Sequence, residues 1–152
     1  MKINIISFGK FKKSDPYSIL YEEYRKRIGF DIKLIEIKGS ISYSNIEEQK
    51  EYEGIEILNK IDKNNKVIAL DERGKIITTN EFTDIVNSYA NFGNNIDFII
   101  GGANGLSPNV LKKADFVLSL GKMVYPHLMV RVILIEQLYR VYTINNNHPY
   151  HK

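Results

Sequence analysis

A nearly all-apolar helix close to the carboxyl end is the feature that most constrains how this chain folds. The spacing predicts a helix over residues 127–140, whose leucine, isoleucine and valine side chains point all round its axis. Such a helix must be buried on several sides, and one side is a candidate subunit interface, with core burial in a monomer as the alternative. The loop before the helix (118–126) and the tail after it (145–151) are therefore held on rigid supports, as a catalytic or binding site requires.

The composition is that of one soluble globular domain spanning residues 1–152. The chain is 43% apolar and 26% charged, and it is long enough to bury a substantial core. It contains no cysteine, which excludes disulfides, thiolate zinc sites and cysteine nucleophiles. The first apolar run is too short for a signal peptide, and no stretch approaches a membrane span. We therefore expect a cytoplasmic protein.

Positive charge is unevenly distributed along the chain. The net charge is +3, residues 47–56 are acidic, and the C-terminal third is basic. A further basic cluster lies early in the chain: Lys10, Lys12, Lys13, Arg25, Lys26 and Arg27. A basic surface suits a phosphate-rich partner such as RNA, and ordinary solvated lysines are the alternative.

Short apolar runs alternate with helical patterns, which predicts an α/β fold. The runs indicate strands over residues 2–7, 31–37, 67–70, 96–100 and 115–118. Strands that are separated by helices favour a mainly parallel sheet covered on both faces.

Local signals mark the helices between these strands. Asp15 and Pro16 supply an N-cap and a first-turn proline for the first helix, and Gly29 stands where its C-terminal cap belongs. Asn45 and Glu48 fit a capping box for the second helix. Its predicted inward side chains are Ile46, Ile55, Leu58 and Ile61, and a third helix is predicted over 80–91.

Three strand ends carry glycine and polar residues, in segments 70–74, 101–105 and 119–126. In open α/β sheets, ligands bind beyond the carboxyl ends of the strands, where glycine lets them approach the backbone. Any single segment is compatible with a plain turn, but three neighbouring ones indicate a binding site. The chain has neither a Walker A loop nor a GxGxxG fingerprint after its first strand, which disfavours phosphate-cradling chemistry there.

Histidine and arginine residues in the last quarter are the remaining candidates for chemistry. His127, His148 and His151 lack a neighbouring carboxylate, so we predict no metal site and expect an ordered tail that faces an RNA base or caps a helix. The chain has no Gly-x-Ser-x-Gly elbow, which argues against a serine triad. Arg131, inside the apolar helix, requires either a carboxylate or an anionic ligand, and Glu136 and Arg140 are spaced to pair.

Five segments in order resemble the RlmH family, small SPOUT-class methyltransferases that modify a pseudouridine in 23S rRNA. The resemblance covers the whole chain and rests on Ala69–Lys75, Phe98–Gly105, Ser119-Leu120 with Pro126-His127 before Val130-Arg131, Glu136–Arg140, and Asn147–His151. It implies a SPOUT-type parallel-sheet fold whose C-terminal part, about 68–152, forms a deep trefoil knot and holds the cofactor site. It also implies a homodimer in which the apolar helices pack together, with the ribosome and its 23S rRNA as partner.

The resemblance further implies S-adenosyl-L-methionine as methyl donor and N3 of the pseudouridine as acceptor, with no metal. Carried over by position, the donor contacts fall on Leu70, Gly102, Gly121, Lys122, Met123, Val124, Tyr125 and Pro126. Gly121 and Val124 replace a serine and a threonine that are common in the family, so only hydroxyl contacts are lost.

The residues assigned to proton transfer and charge stabilisation are His148, Tyr150, His151 and Arg131. The alternative from another class is a non-catalytic module that binds the ribosome or RNA through the same basic surface and aromatic tail.

Overall fold

A five-stranded, fully parallel sheet forms the centre of the computed structural model, which describes residues 1–152. The strands are β1 (Lys2–Phe8), β2 (Asp31–Ile37), β3 (Lys66–Ile76), β4 (Ile96–Ile100) and β5 (Phe116–Ser119). Their spatial order is β2-β1-β4-β3-β5, and every neighbouring pair is parallel. The predicted parallel α/β sheet is therefore confirmed.

Five helices cover the two faces of this sheet. They are α1 (Pro16–Arg25), α2 (Ile46–Leu58), α3 (Thr79–Asn91), α4 (Pro108–Lys113) and α5 (His127–Asn145). Helices α1, α3 and α5 share one hydrophobic cluster with the sheet, and α2 and α4 share the other. None of the helices combines the length and the apolar character needed to cross a membrane.

The two-residue period of the strands divides the core between these faces. Ile3 and Ile5 of β1 belong to the cluster beneath α5, and Ile6 and Phe8 belong to the cluster beneath α2. The central strand β4 is buried along its whole length. Strands buried on both faces read as continuous apolar runs, which is why the sequence places them well.

The first helix begins as predicted but ends differently. The Asp15 side chain accepts a hydrogen bond from the Tyr17 amide, and Pro16 occupies the first turn. The helix ends at Arg25, and Lys26 caps it in a right-handed conformation, so the prediction of Gly29 as the cap is wrong. Gly29 instead makes room for Tyr142 of α5, whose Cε2 atom would lie 2.8 Å from a Cβ at residue 29.

The second helix presents a different face from the one predicted. Asn45 caps it by accepting hydrogen bonds from the Glu47 and Glu48 amides, without the return bond of a capping box. Ile46 and Ile55 are 59% and 53% exposed, so their predicted inward orientation is wrong. The buried side of α2 carries Glu53, Gly54 and Ile57. Gly54 on this side allows closer packing than isoleucine would. The hydrophobic pattern of the sequence alone did not predict that this side is the buried one.

Two elements near the site are longer than predicted, and one was missed. β3 continues past Leu70 through an irregularity and pairs with β5 again at Lys75 and Ile76. α5 extends to Asn145, beyond the predicted end at 140. The six-residue helix α4 was not predicted, because it is too short for a clear helical period.

Candidate active site

The three strand-end segments meet at the carboxyl edge of the sheet and surround one cavity of about 370 Å³. The cavity is lined by Leu70–Arg73, by Ile100–Gly105, by Leu118, Leu120, Gly121 and Met123–Tyr125, by His127 and Val130 of α5, and by Lys50 of α2. β3, β4 and β5 contribute these loops, and β3 lies between the other two strands. The structure therefore brings the three predicted segments together around one cavity.

The loop after β4 is a tight turn made possible by its glycines. Gly105 has a φ of +80°, a region that favours glycine, and its amide donates to the Gly102 carbonyl at 3.1 Å. A Cβ on Gly101 would lie 2.9 Å from the backbone of Gly105, so the two sides of the turn are in contact. The turn therefore brings backbone close to the cavity, together with Ala103 and Asn104.

The loop after β5 is organised by Ser119. Its Oγ donates to the Gly121 carbonyl at 3.0 Å and accepts from the Gly121 amide at 3.2 Å. Gly121 has a φ of +124°, so glycine suits this position better than serine would. Of the predicted donor contacts in this loop, Lys122 and Pro126 do not line the cavity.

Asp71 and Arg73 form an ion pair at the cavity wall. Both nitrogens Nε and Nη2 of Arg73 donate to the Asp71 carboxylate, at 2.7 and 2.8 Å. Burial alone raises the pKa of Asp71, but the hydrogen bonds from Arg73 outweigh it and lower the pKa below its ordinary value. Arg73 also reaches the Leu106 carbonyl at 3.4 Å, which links the β3 loop to the β4 loop.

His127 lines the cavity from the first turn of α5, a placement that the sequence analysis did not assign. No side chain or backbone group hydrogen-bonds its ring, and Nε2 lies beside Gly9. Burial lowers the pKa of His127, the Arg131 charge lowers it further, and Glu53 acts in the opposite direction. A neutral imidazole with free nitrogen atoms therefore faces the site near pH 7.

Helix α2 supplies two further residues that the sequence analysis missed. The Lys50 side chain lines the cavity and is 16% exposed. Glu53 is 6% exposed, and its Oε2 has no hydrogen-bond partner. The acidic run around them hid both residues, and Gly54 was the available signal, because a glycine inside a helix often marks a close contact.

Arg131 is fully buried and does not line the cavity. Its guanidinium donates to Glu36 at 3.1 Å and to the carbonyls of Phe8 and Gly9 at 2.9 and 3.1 Å, and it stacks 4.7 Å from the Phe11 ring. Of the two predicted alternatives, Arg131 adopts the pairing with a carboxylate. It ties α5 to the carboxyl end of β1.

The C-terminal tail is ordered against its own chain, away from the cavity. Tyr150 packs 4.7 Å from the Tyr139 ring and donates to Glu136 at 3.1 Å, and Arg140 stacks over its ring. The predicted pairing of Glu136 with Arg140 is present at 2.7 Å. No residue of the tail lines the cavity, so the structure does not bring His148, Tyr150 and His151 together with the strand-end loops.

The contacts of the tail define what its side chains can do chemically. Arg140 lies 3.2 Å from Nδ1 of His151, and arginine only donates, so this nitrogen accepts and a neutral ring carries its proton on Nε2. The His148 Nδ1 accepts from the Tyr150 amide at 3.3 Å. The hydrogen bond with Tyr24, burial and Glu136 all raise the pKa of Tyr150, so its phenol stays protonated near neutrality. Nowhere do three or more histidine, aspartate or glutamate side chains converge as a metal site requires.

The comparison with known proteins now decides the family. A family model described as "Predicted SPOUT methyltransferase" matches residues 1–151. The chain belongs to this family. A SPOUT methyltransferase was also what the five sequence segments resembled, so that interpretation is confirmed.

Full-length relatives make the assignment more specific. The proteins named "Ribosomal RNA large subunit methyltransferase H" are 42% identical in Clostridium perfringens strain 13, 43% in Mycoplasmopsis synoviae strain 53 and 44% in Clostridium beijerinckii. Each match covers 100% of both chains. The similarity of this SPOUT methyltransferase to those relatives therefore extends over the whole chain.

Solved structures support the fold of the SPOUT methyltransferase. A probable methylase family protein from Haemophilus influenzae Rd KW20 matches with a TM-score of 0.60 at 17% identity, over 99% of this chain and 70% of its own. The SpoU methyltransferase AviRb from Streptomyces viridochromogenes, in complex with AdoMet, matches with a TM-score of 0.50 at 10% identity, over 91% and 57% of the two chains. At these identities, the likeness concerns the fold alone.

Proposed function

We propose that this chain is an S-adenosyl-L-methionine-dependent methyltransferase that methylates N3 of a pseudouridine in 23S rRNA. The observation that carries the proposal is the cavity formed by three strand-end loops in a chain whose full-length relatives are named as large-subunit rRNA methyltransferases. The enzyme would act on the ribosome or its RNA, which agrees with the net charge of +3.

The cavity fits the methyl donor in size and in character. Its volume of about 370 Å³ lies in the range of small-molecule sites, and apolar side chains and glycine backbone share its lining. Leu70, Gly102, Gly121 and the stretch Met123–Tyr125 would hold the donor, while Lys122 and Pro126 would act through the backbone conformation of the loop. The bound donor supplies an electrophilic methyl group on a sulfonium.

We extend the proposal to the trefoil knot predicted for residues 68–152. Its support is the path of β3, which pairs with β5 at Ile68–Leu70 and again at Lys75–Ile76. A Cβ on Gly74 would lie 2.6 Å from the Val117 carbonyl oxygen, so the β3 loop runs directly against the backbone of β5. β3 therefore contacts β5 both before and after the β3 loop. Such an arrangement is compatible with a chain that passes through a loop, as in a knot.

A homodimer is the second part of the proposal. Met123 and Val124 are 72% and 81% exposed, and Ile76, nearby at the end of β3, is 54% exposed. We name these residues, together with the half-buried Ile133 of α5, the apolar patch. Exposed apolar side chains beside a binding cavity suit a subunit interface. The partner would be a second copy of this chain, with α5 helices packed together.

A dimer also gives the tail a route to the substrate. The tail packs beside Arg140, ten residues along α5 from the cavity-lining Val130, which is about 15 Å at the rise of an α-helix. His148, Tyr150 and His151 would therefore reach the target base in the cavity of the partner copy. There Tyr150 would donate a hydrogen bond, and a histidine released from its Nδ1 contact would accept the N3 proton.

Arg131 would act indirectly in this scheme. Its hydrogen bonds to Phe8 and Gly9 fix the start of α5, and that turn carries His127 into the cavity. We assign Arg131 a positioning role, because its buried guanidinium has no surface with which to face the developing charge in its own chain.

Calorimetric binding of S-adenosyl-L-methionine tests the proposed enzyme against a non-catalytic RNA-binding module. The enzyme should bind the donor, with either one site in each chain or one site in each dimer. Wild-type protein that shows no binding at millimolar donor would exclude the enzyme and leave the module.

A further inference from the structure

We propose that Lys50 of α2 binds the carboxylate at the amino-acid end of the methyl donor. The inference rests on the proposed function and adds a residue that lies outside the three strand-end loops. It places that end of the donor between α2 and the glycine turn at 101–105.

Lys50 is the cation in the cavity wall without a close partner. Its Nζ lies 3.9 Å from Glu47, whose own side chain is 77% exposed, so this ion pair is long and well solvated. Arg73, the other permanent cation of the wall, already uses both oxygens of Asp71. The Glu72 carboxylate also lines the cavity, but it forms no ion pair with Lys50. An anionic ligand group would therefore give Lys50 the close partner that its own chain does not provide.

The position of Lys50 is fixed by the way α2 docks on the β4 loop. A Cβ on Gly54 would lie 2.2 Å from the Ser107 Oγ, and a Cβ on Gly102 would lie 2.6 Å from the Glu53 Oε2. Both contacts involve buried side chains, so the helix and the turn cannot shift apart or together without cost. Lys50 lies one turn before Glu53 on the same side of the helix, and its ammonium is held at the cavity.

The chemistry of a carboxylate matches what surrounds Lys50. A carboxylate accepts several hydrogen bonds, from an ammonium and from backbone amides alike. The loop at 101–105 lines the same cavity as Lys50, and its backbone amides are the further donors that we assign to the carboxylate. The part of the lining formed by Leu118, Leu120 and Val130 is apolar and suits the uncharged part of the ligand.

The test compares two ligands that differ in this group. S-adenosyl-L-methionine carries the carboxylate, and 5′-methylthioadenosine lacks the whole amino-acid end. For Lys50→Met, calorimetry should show S-adenosyl-L-methionine affinity reduced by about tenfold or more, because a charge-assisted hydrogen bond is lost. Affinity for 5′-methylthioadenosine should stay within about twofold, and Lys50→Arg should recover most of the loss.

The matched control is Lys60→Met, which removes the same charge from an exposed site just beyond the end of α2. It should bind both ligands like the wild type. Thermal unfolding of each variant checks the fold, and Lys50→Gln replaces Lys50→Met if the latter is unstable.

Three results would overturn the assignment. Equal losses for both ligands would place Lys50 at the nucleoside end, and unchanged donor affinity with weakened rRNA binding would assign it to phosphate. If Lys60→Met loses as much donor affinity as Lys50→Met, the loss would come from the change in net charge and not from a contact of Lys50. If the wild type binds neither ligand, the proposed function fails, which is distinguishable from all three.

Discussion

The carboxylate of Glu53 lies directly against Gly102, so that a Cβ at residue 102 would stand 2.6 Å from Oε2. The side chain at 102 would therefore meet α2 rather than the cavity, and Glu53 is too buried to move aside freely. We expect Gly102→Ala to lower the free energy of unfolding by about 1–3 kcal/mol, as overpacking does, and to weaken donor binding.

The double variant Gly102→Ala/Glu53→Ala tests that physical cause. Removing the carboxylate gives the new methyl group room, so the double variant should be more stable than the sum of the two single effects predicts. Chemical denaturation measures all four proteins. If the two changes in the free energy of unfolding simply add, the contact with Glu53 is not the reason why a larger side chain at residue 102 is destabilising.

The apolar patch should hold the dimer together. Val124→Glu should give folded monomers, because this side chain is 81% exposed within its own chain, and their unfolding midpoint should fall by the stabilisation that the dimer supplied. Phe92→Glu, at an 83% exposed site at the end of α3, is the control and should remain dimeric. Light scattering at micromolar concentration distinguishes the two, and a monomeric wild type would refute the proposed interface.

The tail should be required for methyl transfer but not for donor binding. Deleting residues 147–152 removes no cavity-lining residue, so donor affinity should change by less than about threefold. Turnover on ribosomal RNA should fall by about a hundredfold or more, in line with lost positioning and proton transfer.

Mixed dimers test whether the tail acts across the interface. One subunit lacks the tail, and the other carries Gly102→Val, whose side chain would press against Glu53 and so distort the turn that lines its cavity. The mixture should recover activity because one intact tail meets one intact cavity. Recovery no greater than the sum of the separate variants would place the tail and the cavity of a single chain together.

His127 should make stability depend on pH. Its folded pKa lies below the unfolded value of about 6.5, so between the two the unfolded chain binds more protons, and stability falls as the pH falls through that window. The wild type should lose more thermal stability between pH 7 and pH 5 than His127→Gln does. The ring protons of His127 in NMR should titrate below pH 6.5, and a higher titration midpoint would contradict the assignment.

Much of this fold is predictable from sequence because its signals are local. The run of β4, apolar except for Asp97, the Asp15-Pro16 start of α1 and the glycine turn at 101–105 all depend on neighbouring residues. Local signals of this kind therefore predict the strands, most of the helix starts and the three loops of the cavity.

The rest depends on contacts between distant segments, which no local pattern records. Gly29 has the sequence of a helix cap but serves Tyr142, more than a hundred residues away. Lys50 and Glu53 read as part of a solvated charged helix until α2 is docked on the β4 loop. The early basic cluster is also not a uniform positive surface, because Arg25 and Arg27 form ion pairs with the nearby Glu22 and Glu23.

The central claim is that this protein methylates N3 of a pseudouridine in 23S rRNA, and mass-spectrometric mapping of rRNA tests it most directly. Cells that lack the gene should show one pseudouridine in 23S rRNA lighter by a single methyl group. Purified wild-type protein with S-adenosyl-L-methionine should restore the methyl group on ribosomes from those cells, whereas the protein lacking residues 147–152 should not. An identical methylation map with and without the gene would contradict the account.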